Sequence, residues 1–312
     1  MDEIVKVRVK SSSYDEYGYR LRKYIRPFFR DKFIGDISQE EMQRFILTLK
    51  NEKTKKTLSA GTIHGIVSVI SEFYDYCVMK KIVYTNPCSQ IVLPKKRQKK
   101  VKVFSNRERR MILEQLQDET HSKSYLVIVA LYTGMRLGEL CSLKWECLDM
   151  ENKVISIKTS KRRLKSDSFR VHQKEEFMNF KGKKTKEVVT LPKTDDSERE
   201  IPITSYLFPI FKELKLSKSE YVFPKTNGKH YDNRSIQKYF GRFVSGLGIK
   251  GKSFHTLRHT FATMAIESKM DIKTLSVILG HSNVNTTLNL YVHPNENYIR
   301  ESMETLSLFI SN

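Results

Sequence analysis

From residue 12 to about residue 92, apolar side chains recur every three or four positions, a period that predicts helices. Ser13 to Phe29 carries Tyr14, Tyr17, Leu21, Tyr24, Ile25 and Phe28 at that spacing. Asp36-Ile37-Ser38 opens a second helix, with Glu41 three residues after Ser38 in capping-box register, followed by Met42, Phe45, Ile46 and Leu49. Ser59 to Thr62 starts a third, bearing Ile63, Ile66, Val67, Ile70, Phe73, Tyr74 and Cys77, and Asn86-Pro87 ends the run. The pattern predicts a bundle of about four helices over residues 1–92.

After Phe104 the pattern becomes mixed. Helical spacing over 107–116, 124–132, 136–143, 205–214, 235–247, 253–267, 271–279, 285–291 and 296–310 is interrupted by short β-like runs at 154–157, 188–191 and 200–203. Few strands among many helices predict a mainly α fold with a small antiparallel sheet, an α+β second domain over 105–312 that ends in an amphipathic tail helix.

Between the two patterns lies a basic run, residues 93–104, that reads as an interdomain linker. Lys95, Lys96, Arg97, Lys99, Lys100 and Lys102 crowd it, either as a solvated tether or as a segment that also follows a phosphate backbone. Residues 159–186 are again rich in Lys and Arg, among them Arg162 and Arg163, and read as a loose loop or as a DNA-tracking β-extension. The whole chain has 56 Lys and Arg against 35 Asp and Glu, a net charge of +21, which calls for a polyanionic partner. No apolar stretch approaches ~18 residues and the N-terminus lacks a signal pattern, so nucleic acid is favoured over a membrane. Cys77, Cys88, Cys141 and Cys147 form no CxxC motif, which fits a reduced, cytosolic protein without disulfides or a zinc site.

The candidate chemistry sits in separate stretches: Thr133-Gly134-Met135-Arg136, then His255-Thr256-Leu257-Arg258, Leu279-Gly280-His281 and Tyr291. Two planar, permanently charged forks, two imidazoles and a phenol suit the holding of a phosphodiester while an oxygen nucleophile attacks it. His255 and Arg258 share a helix face near its N-terminus, and Glu139, three residues after Arg136, is placed to aim that guanidinium. His255 and His259 are four apart, but the glutamate of HExxH is missing at 256, so no metal site is expected.

In this order and spacing, these residues resemble the tyrosine recombinase family, the phage-type integrases, and within it the integrases of phages and conjugative transposons. Ala130 to Leu140 looks like the family's first box, Pro192-Lys193-Thr194 with Ser197, Arg199 and Ile201-Pro202 like its lysine hairpin, and His255 to Thr263 with Leu279 to Ser282, Thr286 to Leu288 and Tyr291 like the second. The resemblance implies an all-α core-binding domain beside the catalytic domain, with Arg136, Lys193, His255, Arg258, His281 and Tyr291 as catalytic set. It implies that Tyr291 attacks the scissile phosphate, that His281 donates a hydrogen bond to it and that Lys193 protonates the departing 5′ oxygen, with Lys184 and Lys186 as competitors for that role. It further implies a 3′-phosphotyrosine intermediate, a Holliday junction, duplex core recombination sites bound by a homotetramer, and accessory DNA-bending or directionality factors in a bacterial or phage-encoded, nucleoid-associated setting. Because the covalent link conserves the phosphodiester bond, no cofactor, ATP or metal is expected. The tail over 296–310 would dock on a neighbouring protomer or on its own domain. Only Met1 to Ser12 precede the bundle, so an arm-site-binding domain is either naturally lacking or removed. A type IB topoisomerase-like or telomere-resolving enzyme, a non-catalytic DNA-binding regulator and a metal-dependent nuclease are the rival readings.

Overall fold

A computed structural model describes residues 11–52, 54–96, 101–117, 121–157, 160–165, 185–190, 198–216, 218–281, 283–291 and parts of 300–310. The chain divides into two compact units, Met1–Lys99 with Arg163–Lys186, and Lys100–Arg162 with Glu187–Asn312.

In the first unit, α1 (Ser11–Arg20) passes through a π turn (Leu21–Ile25) into α2 (Arg26–Phe29), where the sequence predicts one uninterrupted helix. α3 (Gln39–Thr48) and α4 (Ala60–Met79) complete the helical rods. Half of the predicted capping box forms: Ser38 Oγ accepts the Glu41 N–H, while the Glu41 carboxylate pairs with Lys32 instead of the Ser38 backbone; Ser59 Oγ likewise accepts the Thr62 N–H at the start of α4. Met42, Phe45, Ile46, Ile63, Ile66, Val67 and Ile70, spaced as one face per helix, form the core. After α4 the chain returns as irregular structure rather than a further regular helix. Side-chain amides hold it down: Gln43 exchanges two hydrogen bonds with the Val92 backbone (3.2 and 2.8 Å), Gln39 donates to Gln90 O (2.9 Å) and the His64 ring bonds Pro94 O (3.0 Å).

The second unit opens with α5 (Asn106–Gln117) and α6 (Ser122–Thr133). Leu126 to Leu131 of α6 are all buried, so this helix runs through the core instead of lying on it. α7 (Leu137–Ser142), β1 (Leu148–Asp149) and β2 (Val154–Ile157) follow. β3 (Ser160–Lys165) pairs with β4 (Thr185–Thr190) as a separate two-stranded ribbon, the second strand beginning three residues before the run that the sequence predicts. β5 (Arg199–Pro202) joins the antiparallel sheet β1-β2-β5, with Ile155 opposite Ile201 and Ile157 opposite Arg199. α8 (Leu207–Leu214), α9 (Asn233–Gly246), α10 (His255–Glu267), α11 (Ile272–Leu279) and α12 (Val284–Tyr291) close the unit. The expected fold class, mainly α with a small antiparallel sheet, is the one observed. Of the predicted tail helix, the described positions within 300–310 are helical; residues 292–299 lie outside the described residues.

The end of the basic run is pinned to this unit. Lys102 Nζ donates to Gly251 O (3.0 Å), the Phe104 N–H donates to Thr260 Oγ1 (2.9 Å), and the Phe104 ring is buried. Among the described residues no helix is long and apolar enough to cross a membrane.

Candidate active site

The site is organised around the C-terminal end of α11. Asp271 caps its start, accepting the Thr274 N–H at 2.8 Å, and Gly280 ends it in the left-handed region at φ +63. A helix end leaves carbonyls without intrahelical partners and carries the negative pole of the peptide dipoles. Three successive carbonyls here each accept from a different guanidinium. Arg199 Nε donates to Ile278 O (2.6 Å), Arg258 Nη2 to Leu279 O (2.7 Å) and Arg136 Nη2 to Gly280 O (2.7 Å). Arginine suits this task because its fork stays charged and its planar donors reach two partners at once.

Glu139 ties two of these arginines together. It is buried in the first turn of α7, and each carboxylate oxygen receives two bonds. Oε1 accepts from Arg136 Nη1 (2.9 Å) and Arg199 Nη1 (3.2 Å), Oε2 from the Arg136 backbone N–H (2.8 Å) and Arg199 Nη2 (2.9 Å). Burial pushes this carboxyl's pKa up, but its bonds to Arg199, then the Arg199 and Arg136 charges, outweigh that and hold it below the ordinary carboxylate range. Arg136 keeps 36% of its side chain exposed, whereas Arg199 keeps 2%, so only the former has an edge free for a ligand.

Two glycines make the close approaches possible. Gly134 ends α6 at φ +64, and a Cβ there would lie 2.4 Å from the Phe261 ring. Its carbonyl accepts Arg258 Nη1 at 2.8 Å, so the loop bearing Arg136 and the helix bearing Arg258 meet at this residue. At Gly280 a Cβ would come within 3.0 to 3.2 Å of the Arg199 guanidinium.

The histidines are neutral near pH 7. For His281, burial first, then the charges of Arg258, Arg136 and Arg199, lower the pKa from 6.5 to about 4. His255 is lowered by the protein packed around its ring and then by Arg258 and Arg136; both guanidiniums thus bear on both rings, which gathers the four groups in one site. His259, whose ring meets that of His255 edge-on at 4.5 Å, is brought to about 4 by burial and then by His255 and Arg258. His281 Nε2 stands 2.9 Å from Arg258 Nη2, and Nδ1 2.9 Å from Thr287 Oγ1. A guanidinium only donates, so Nε2 accepts and Nδ1 carries the ring proton, given to Thr287. Thr287 is fully buried on α12, one helical turn before residue 291.

Of the sequence-predicted residues, Arg136, Glu139, His255, Arg258 and His281 are brought together. Tyr291 is the last residue of α12, which packs against α10 and α11; its side chain lies outside the described residues. Lys193 with Lys184, and the linker positions Arg97, Lys99 and Lys100, also lie outside them. Lys95 and Lys96 are exposed, while Lys102 is engaged with Gly251. Arg162 and Arg163 sit on β3. Among the described residues no three His, Cys, Asp or Glu side chains gather as a metal site would require. The sequence by itself assigns no role to Arg199 or Thr287. A signal existed for the first: the alternation of β5 puts Arg199 on the same inward face as Ile201, where a charge calls for a buried partner.

The comparisons with known proteins point to one family. The phage integrase family matches residues 102–298, and its N-terminal SAM-like domain matches residues 3–50. A tyrosine recombinase XerC-like protein of Caldanaerobacter subterraneus is 29% identical over 99% of this chain and 81% of its own length. The ICEBs1 integrase of Bacillus subtilis is 25% identical over 95% and 78%. In fold, the Tn1549 transposon integrase in complex with transposon right end DNA aligns with a TM-score of 0.77 at 22% identity, covering 97% of this chain and 96% of that one. A lambda integrase tetramer bound to a Holliday junction aligns at 0.66 and 18%, covering 90% and 75%. With the family match running over more than half of the sequence, the chain belongs to the phage integrase family, the tyrosine recombinases.

Proposed function

We propose that this recombinase cuts and rejoins duplex DNA at specific core sites to integrate or excise a mobile element. The observation that carries the reading is the gathering of two guanidiniums and two neutral imidazoles at the end of α11, with the helix of Tyr291 anchored to that site through Thr287 and His281. Arg136 and Arg258 hold the nonbridging oxygens and act most strongly on the pentacoordinate transition state, where negative charge collects. The Tyr291 phenolic oxygen forms a bond to phosphorus and the bond to the 5′ oxygen breaks. The phenolic proton passes to neutral His255, and the leaving 5′ oxygen takes its proton from Lys193. His281 donates to the phosphate once its proton sits on Nε2. The 5′ hydroxyl of a second duplex then reverses the step, giving a Holliday junction.

The same reading assigns residues 1–92 to a core-binding domain, 93–104 to the linker and 105–312 to the catalytic domain. Lys95, Lys96, Arg97, Lys99, Lys100, Arg162 and Arg163 follow phosphates. Lys102 joins them only by giving up Gly251. Four copies assemble on two core sites, with accessory bending or directionality factors, in the cytoplasm of a bacterial host. The test is a nicked suicide substrate that traps the covalent adduct, with the linked residue mapped. Tyr291→Phe should abolish the adduct while DNA binding persists; an adduct surviving in that variant moves the nucleophile elsewhere. Relaxation of supercoiled plasmid without strand exchange would turn the reading toward a topoisomerase.

A further inference from the structure

Arg199 is the member of the arginine trio that the proposed chemistry leaves without a task. Its side chain is almost wholly enclosed, so it has no edge to offer DNA. Yet it bonds within the site to Ile278 O and to each oxygen of Glu139. Its place is fixed from behind by β5, where it stands opposite Ile157, and Gly280 packs against its guanidinium closely enough that no side chain fits between them without displacement. One residue therefore connects the sheet, the carboxylate that holds Arg136 and the turn that carries His281.

A buried ion pair is rarely the most stable way to fill such a space; well-packed apolar residues do as well or better. What the pair supplies here is geometry. With Arg199 on its far side, Glu139 is saturated and holds Arg136 from one direction, leaving the exposed edge of that guanidinium facing outward. Without Arg199, a buried carboxylate loses two of its four donors and pulls Arg136 inward, and Ile278 O loses its cap.

We propose that Arg199 is a positioning residue for strand cleavage: by occupying Glu139 and clamping the Ile278–Gly280 turn, it keeps Arg136 and His281 turned toward the scissile phosphate. The inference rests on the recombinase reading and deepens it.

The test uses the full chain and two suicide substrates, one with an ordinary scissile phosphodiester and one with a neutral methylphosphonate there. Arg199→Met should bind DNA within about threefold of wild type and cleave the ordinary substrate about 100-fold more slowly, the scale expected for misplacing a reacting group by about an ångström. On the methylphosphonate there is less charge for Arg136 to offset, so the deficit should shrink below about tenfold. Arg199→Lys, which keeps the charge but lacks the fork, should fall between the two and serves if the methionine variant does not fold. Equal losses on both substrates, or cleavage of the ordinary one within about twofold of wild type, would overturn the proposal. Failure of the recombinase reading is distinct, because wild type itself would then form no adduct. In that event histidine NMR on the free protein still decides. Arg199→Lys should move the His281 ring resonances, and unchanged resonances would show that Arg199 does not set that turn.

Discussion

The interiors of the two units are built on different terms. In the first, the core is Met42, Phe45, Ile63, Ile66 and their apolar neighbours, and even Tyr74 sends its hydroxyl only as far as Ile34 O. In the second, an apolar core of similar kind surrounds α6, but the buried polar and charged residues sit there as well. Among the described residues all of them, including Glu139, Arg199, Arg258, Thr260 and Thr287, belong to the second unit. Burying a polar group costs free energy unless each donor and acceptor finds a partner. A fold that only had to be stable would follow the first pattern. On the proposed mechanism, the second holds charge in a fixed place because the chemistry needs donors that do not reorganise as the phosphorus becomes five-coordinate.

The largest test of this contrast is a core truncation in the first unit. Phe45 is buried against the rings of Phe28 and Phe29, at 5.1 and 5.0 Å, so Phe45→Ala should cost about 3–5 kcal/mol of that unit's stability. Denaturant unfolding followed by two probes should show the first transition moving while the second stays. Concerted movement of both would mean the units unfold as one, and the contrast would lose its meaning. Saturated with DNA, the variant should still cleave at close to the wild-type rate.

Arg136→Ala is the mirror image. Without its side chain buried Glu139 keeps three of its four donors, so the second unit should still fold, while on the proposed mechanism cleavage loses a donor aimed at developing charge. A loss of roughly 3 kcal/mol in the barrier, about two orders of magnitude in single-turnover rate, is expected. Cleavage near the wild-type rate would place the phosphate elsewhere.

The same contrast explains what could be read from the sequence. Apolar periodicity reports burial directly, so the first unit's core face, the Ser38 and Ser59 caps and the core helix α6 were legible. Arg136, His255, Arg258 and His281 were found by motif order, and Glu139 by its spacing from Arg136. Three facts were not legible, because each depends on groups remote in sequence. Arg199 reaches Glu139 across 60 residues, the carbonyls of one helix end collect three arginines, and a donor-only guanidinium sets the tautomer of His281. The π turn at Leu21–Ile25 leaves no trace in the sequence for a simpler reason: one extra residue in a turn barely disturbs a three-to-four spacing.

Acid should expose the second unit selectively. His259 and His281 titrate near 4 when folded, against 6.5 ordinarily, with burial of each ring the leading cause. Between those values the unfolded chain binds more protons than the folded one, so stability rises with pH through this window. The contribution is complete above about pH 6.5 and is lost as pH falls toward 4. Each ring should account for on the order of 2 kcal/mol between pH 7 and 4.5. Thermal unfolding across that range should lower the second transition more than the first. A second transition that stays level would refute burial of neutral rings.

The smallest expected effect concerns Thr287, and it isolates a single proton. In the free protein Arg258 donates to His281 Nε2, so the ring's proton is on Nδ1 and goes to Thr287 Oγ1. To donate to a phosphate, His281 must carry the proton on Nε2, which leaves Nδ1 in need of a donor. A threonine hydroxyl accepts in the first state and, by rotating its hydrogen, donates in the second. Valine has the same shape and does neither. Thr287→Val should therefore slow cleavage about five- to tenfold, close to 1 kcal/mol, with DNA affinity unchanged and Thr287→Ser close to wild type. If valine cleaves as fast as threonine, the His281 proton is not steered from α12. The link between the helix of Tyr291 and the histidine would then be packing alone, of the kind that serves the first unit throughout.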